Sequence, residues 1–247
     1  VISNEGGGTV VIPKGIWITG PIRLQSNVCL YLERGAVVKF SKNIEEYPLI
    51  LTNYEGQECI RTVSPVTADH AENIAICGDG VIDGSGDLWR PVKQFKMTGR
   101  QWAELMKKNS NVLDTKEGGI WFPTESAFLG NEKNIQKDEK DALKKAEQHY
   151  DFYRPVMVSL EYCDRVLLEG VTFMNSPAWN IHPFFCTNLT VKDAVIRNPY
   201  YAQNGDGIDV ESCNGVEIYN CTFETGDDAI CIKSGKNAEA RTFEGPC

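Results

Sequence analysis

Two patterns repeat together along the chain, and their spacing leaves few folds open. In the first, a small or polar residue precedes a short apolar run. Its members are Asn27-Val28, Asn73-Ile74, Arg165-Val166, Asn188-Leu189 and Gly215-Val216, and Val166, Leu189 and Val216 are separated by 23 and 27 residues. In the second, WNIHPFFC (179–186), DGIDVESC (206–213) and DAICIKSG (228–235) recur at offsets of 27 and 22. A unit of this length with two or three short strands and no helix is one coil of a parallel β-helix. One coil cannot bury its own apolar face; stacked coils bury a continuous one. A β-sandwich also has many short strands, but it does not repeat two registers in step. The Leu and Asn signature of a leucine-rich repeat is absent. The expectation is an all-β chain, a single β-helical solenoid domain over residues 1–247.

The coil rhythm stops between about 90 and 150, which reads as a partly helical insertion between two coils. TGRQWAELMKKN offers Thr98 as a helix cap with Gln101 three residues on, and puts Trp102, Leu105 and Met106 on one face. KDEKDALKKAEQHY (137–150) reads as a second helix, charged on most sides and so a solvated face. Trp121 and Phe122 are expected as exposed aromatics able to stack on a ligand.

Composition narrows the functions. Hydrophobic residues make up 42% of the 247, enough for a large core, and the net charge of -9 argues against nucleic acid, whose phosphates need a basic face. No run is apolar enough to span a membrane. Nine cysteines cannot all pair within one chain, and their spacing makes no zinc pattern. Cys163, Cys186, Cys213, Cys221 and Cys231 sit in apolar runs and read as small buried hydrophobes.

The second register carries the chemistry. Aligning NGDGIDVESC with TGDDAICIKSG puts Asp206 and Asp228 in one column, with Asp227 beside them in the same turn. Parallel neighbours lie about 4.8 Å apart, so three carboxylates crowd one patch. Repulsion raises at least one pKa, which suits acid/base chemistry more than stability. The same alignment puts His182 with Asp209 and Cys231, and Glu211 with Lys233, so His182 and Lys233 are candidates for the edge of the same cleft. Each also has a plain structural use, as a satisfied histidine beside Pro183 and as a lysine balancing three acids. Calcium held by the three acids is a rival reading.

These residues resemble the active-site region of glycoside hydrolase family 28, the polygalacturonase family. Asn204-Gly205-Asp206-Gly207 corresponds to the family's Asn-Thr-Asp-Gly motif, with Gly205 where Thr is usual in fungal members, and Gly226-Asp227-Asp228 matches its Gly-Asp-Asp motif. GGGTVVIPKGIWITGPIRLQSNVCLYLERGAVV and ENIAICGDGVIDGSGDLW are similar to its early coils. The stretch that Arg154 opens, RPVMVSLEYCDRVLLEGVTFMNSPAWNIHP, is similar to its bacterial exo-acting branch. The resemblance implies a right-handed parallel β-helix that hydrolyses α-1,4-galacturonic acid linkages in pectin with inversion, without cofactor or metal. It implies Asp227 as general acid, Asp206 and Asp228 as the pair that activates water, and Arg154, His182, Asn204 and Lys233 as substrate-binding residues. Pectin is an external polymer, so the implied compartment is secreted or periplasmic; the sequence assigns no oligomeric state.

Two family motifs downstream of Gly-Asp-Asp, Gly-His-Gly and Arg-x-Lys, have no match here. The chain is therefore expected to be the middle of a longer protein, inactive and poorly soluble on its own. Two other readings use the same scaffold: a calcium-dependent pectate lyase with Arg197 as base, and a non-catalytic β-helix that only binds carbohydrate.

Overall fold

A computed structural model describes residues 2–133, 135–236 and 238–242. Three six-stranded parallel sheets run along the molecule, and the chain visits them in turn, which makes it a parallel β-helix. The first sheet orders Gly8–Ile12, Val28–Leu32, Glu72–Gly78, Asp164–Glu169, Thr187–Lys192 and Asn214–Tyr219. The third, which carries the site, orders Ile22–Arg23, Val66–Asp69, Val158–Glu161, Ile181–Phe184, Ile208–Glu211 and Ile230–Lys233.

Alternation along each strand sends every second side chain inward, and the parallel register stacks like on like. Ile74, Val166, Leu189 and Val216 form one column. Val66, Val158, Ile181, Ile208 and Ile230 form another, and Ile82, Phe173, Ile196 and Phe223 a third. Branched side chains pack well on a pleated surface, and apart from Ile230, which is exposed, these columns share one continuous core.

The polar residue that opens each unit of the first register has a backbone reason. Asn27, Asn73, Arg165 and Asn188 all have φ between 53° and 63°, and Gly215 has 67°. This left-handed bend turns the chain from the third sheet into the first; asparagine and glycine accept it, and branched residues do not. The asparagines also bond along the stack: Asn73 Nδ2 donates to Asn27 Oδ1 (2.9 Å), and Arg165 Nε donates to Asn73 Oδ1 (2.6 Å).

Two excursions leave the solenoid. Leu49–Tyr54 and Gln57–Thr62 make an antiparallel hairpin. Between the strands Val81–Asp83 and Val158–Glu161 lie a small antiparallel sheet, Val92–Lys93, Val112–Thr115 and Gly118–Trp121, and three helices: α1 (Gly99–Met106), α2 (Glu125–Lys133) and α3 (Ala142–Ala146). Thr98 caps α1 in a capping box with Gln101, as its sequence predicts. The helix expected over 137–150 is shorter. Asp141 is left-handed (φ 57°) and stops it on one side, and after Ala146 the chain tightens into a 3-10 segment kinked at His149. The α2 helix is an addition to the sequence reading. Its signal is Thr124, whose hydroxyl accepts from the Ala127 amide (3.0 Å). Trp121 and Phe122 correct the expectation of exposed aromatics: they are 5% and 4% exposed, packed inside the excursion.

The left-handed column yields a direct stability test. Asn73→Val forces a branched residue into φ 53° and should cost about 1–3 kcal/mol in denaturant unfolding. Asn73→Gly keeps the bend and loses only the side-chain ladder, so it should cost less than Asn73→Val. Equal losses would contradict the backbone explanation.

Candidate active site

The outer face of the third sheet turns the second register into a site. Ile208 pairs with Ile230, Asp209 with Cys231 and Glu211 with Lys233. The Gly207 amide donates to the Asp228 carbonyl (2.9 Å), so the Asp206 and Asp228 turns stack as the alignment places them. Gly207 is needed for this approach, because a Cβ there would lie 2.4 Å from the Ala229 carbonyl oxygen. Gly205 has a local reason too: a Cβ would meet that of Ala202 at 2.5 Å. The Thr225 hydroxyl donates to the Asp227 carbonyl (2.7 Å), and Lys96, reaching in from the excursion, donates to the Gly226 carbonyl (2.7 Å).

The three carboxylates sit at different depths. Asp206 is 5% exposed, while Asp227 and Asp228 are open to solvent. Burial pushes the Asp206 carboxyl up to about 7, helped by the charges of Asp209 and Asp227 and opposed by Lys233. Below it Asp209 is fully buried and bonded to Lys233. Burial raises the Asp209 carboxyl as well, against the pull of Lys233. The Lys233 ammonium also lies 3.7 Å from the centre of the Trp179 ring.

The expected binding residues divide. Lys233 lies among the acids, bonded to Asp209. His182 is 1% exposed, with Nε2 2.8 Å from Glu211 Oε2, so it lies beneath the cleft rather than at its edge. Arg154 is spent on protein contacts: it donates to the carbonyls of Pro177 and Gln203 (both 3.0 Å) and to Asn204 Oδ1 (2.9 Å). It therefore holds Asn204, whose own φ is 53°. Burial lowers the Arg154 guanidinium to about 10. Arg197, the base of the lyase reading, lies on a different sheet from the acids, in the strand Val195–Arg197 that pairs with Thr222–Glu224, and it pairs with Glu224 at 2.6 Å.

Sequence reasoning missed the hairpin. Tyr54 stacks on Trp179 with ring centres 4.0 Å apart, and the Arg61 guanidinium lies 3.5 Å from the centre of the Tyr54 ring. Tyr54 and Arg61, with Lys93, Phe122, Arg154 and Asn204, line a cavity of about 550 Å³ between hairpin, excursion and solenoid. The available signal was the Gly56 turn between two alternating runs, LILTNY and QECIRT.

Residues 139–245 match the model of Glycosyl hydrolases family 28, a span that contains all three acids. Over that span the chain carries a domain of that family. It is 29% identical over 238 residues to a probable polygalacturonase of Vitis vinifera, and 27% identical over 246 residues to the exo-poly-alpha-D-galacturonosidase of Dickeya chrysanthemi; these alignments take in 94% and 96% of the chain. Among solved structures, the hyperthermoactive exopolygalacturonase of Thermotoga maritima superposes with a TM-score of 0.72 at 33% identity over 97% of the chain. The chain spans 38% of the length of both curated relatives and 50% of the Thermotoga chain.

The raised Asp206 has a measurable consequence. The folded protein holds this proton more tightly than the unfolded chain, so its stabilising effect is complete below the ordinary value of 3.8 and is lost as pH rises through about 7. Asp206→Asn carries no such charge. Its stability in denaturant unfolding should rise relative to wild type between pH 4 and pH 8, by at most about 4 kcal/mol. A pH-independent difference would contradict the shift.

Proposed function

We propose that the chain carries the catalytic carboxylates of a polygalacturonase, which hydrolyses α-1,4 linkages between galacturonic acid residues of pectin from the chain end and with inversion. The observation that carries the reading is the stack of Asp206 over Asp228, with Asp227 in the same turn, inside the span that matches family 28. An inverting glycosidase needs one carboxylic acid to protonate the leaving oxygen and one carboxylate on the other side of the bond to take a proton from water. Asp227 is assigned the first role and Asp206 with Asp228 the second. Water activation needs an ionised base. Asp206 is protonated below about 7, so its share in water activation is gained as pH rises through that value.

Action at the chain end is supported by what surrounds the acids. The excursion is tied to the site at three points. Lys96 bonds Gly226, the Tyr200 hydroxyl lies 3.0 Å from Gln101 Oε1, and Arg154, at its end, bonds Asn204. With the hairpin it walls one end of the cleft, and two of the relatives bear exo-acting names. Asn204 and Lys233 are the residues assigned to the substrate, with Arg154 and His182 supporting them from below. The partner is a pectic polysaccharide or oligogalacturonide, which places the enzyme outside the cytoplasm, secreted or periplasmic. The position of Arg197 on another sheet favours this reading over a lyase, which would need an arginine base beside a calcium ion.

The test uses the intact protein with polygalacturonate and a chelator. Reducing ends should rise without ultraviolet absorbance from an unsaturated product, with short galacturonides released first, and Asp227→Asn should slow this by about 10²–10⁴-fold. Absorbance that stops with the chelator would make the protein a lyase. Oligomers of random size at early times would contradict chain-end action.

A further inference from the structure

The third sheet places a thiol among the acids, and no step of the proposed hydrolysis uses it. Cys231 follows Asp228 by three residues and pairs in register with Asp209. Its Sγ lies 3.3 Å from Asp228 Oδ2 and 3.9 Å from Asp206 Oδ2. One donor atom from each of Asp206, Asp228 and Cys231 lies within 4.8 Å of the others. A tetrahedral zinc-type centre has metal–sulfur bonds near 2.3 Å and metal–oxygen bonds near 2.1 Å, which sets sulfur and oxygen about 3.6 Å apart. The two observed separations bracket that value.

A second observation concerns what Asp206 lacks. The residue is 95% buried, and its Oδ1 has no hydrogen-bond partner. Apart from the N–H of its own backbone, the carboxyl meets only the thiol, 3.9 Å from Oδ2, among the described residues. Lys233, the cation whose charge acts on Asp206, bonds Asp209 instead. Among the described residues neither Asp206 nor Asp228 has an ion-pair partner. An unpartnered buried carboxyl beside a second carboxylate and a thiol is short of a cation, and the mixed donor set says which kind. Oxygen alone would suit calcium or magnesium; a thiolate selects borderline and soft ions.

We propose that Asp206, Asp228 and Cys231 form a binding site for a divalent cation of the zinc–cadmium class, with solvent in the fourth position. This goes beyond the reaction assigned to the same carboxylates and needs no part of it. Burial, the charge of Asp209 and the bond to Asp228 push the Cys231 thiol up to about 12, so the ion enters by displacing that proton to solvent. Bound there, it would occupy the two carboxylates assigned to water activation.

The experiment adds cadmium ion to the reduced, intact protein and reads the sulfur-to-cadmium charge-transfer absorbance in the ultraviolet. Cys231→Ser should remove one thiolate's share of the band and weaken binding by about tenfold or more. Asp228→Asn, at an exposed position where folding is not at stake, should weaken it similarly, and excess calcium should not displace the cadmium. If both variants titrate like wild type, cadmium sits on other thiols such as Cys29 and Cys77, and the proposal is overturned. Displacement by calcium would overturn the assigned ion class. Because the readout is binding, failure of the hydrolase reading would leave this test intact, and the converse also holds.

Discussion

Everything at the site depends on the register between neighbouring coils of the third sheet. Ile181 and Ile208 must stack inside the solenoid with Ile230 in register at the open end of the column, and this fixes offsets of 27 and then 22 residues. A slip of one residue would turn Ile208 outward and drive Asp209 into an apolar core, at a cost of several kcal/mol for an unpaired buried charge. The apolar columns thus decide where the carboxylates go. The left-handed asparagine column assists at the corner, because it lets coils of unequal length begin the first sheet at equivalent positions.

The outer face then sets the electrostatics. In the coils from Val158 to Glu211 this face is covered by hairpin and excursion, so its polar residues are buried and must be satisfied locally. His182 meets Glu211, and Lys233 meets Asp209 while resting on Trp179. Asp206 lies at the margin of this layer, buried but without an ion-pair partner among the described residues, and burial raises its carboxyl. Asp227 and Asp228 lie on the next turn, in solvent. One turn motif repeated on consecutive coils therefore yields carboxylates with unlike surroundings, which an acid and a base require.

The solenoid was legible because its signals are local and repeated. The strand columns, the corner asparagines and the alignment of Asp206 with Asp228 all follow from spacing. The cap of α1 was legible as well, since Thr98 and Gln101 are three residues apart. What stayed hidden depends on contacts distant in sequence. Trp121 and Phe122 look like exposed stacking rings until the excursion folds over them. His182 looks like a cleft residue until hairpin and excursion cover its coil. Tyr54 meets Trp179 across more than a hundred residues, and Lys96 meets Gly226 across a similar gap, which no local periodicity announces. The end of α3 was misjudged because charge pattern favours a helix over 137–150, while tertiary packing puts Asp141 and His149 in non-helical conformations.

The central claim is that two carboxylates aim water at the face of the sugar opposite the departing oxygen. Proton nuclear magnetic resonance of the intact protein acting on oligogalacturonide tests it most directly, by recording the first new anomeric signal before mutarotation. The account predicts a β-anomer at the newly formed reducing end, the inverse of the α-linkage cleaved. An α-anomer appearing first would mean a covalent intermediate on one of these aspartates, and would contradict the roles assigned to all three.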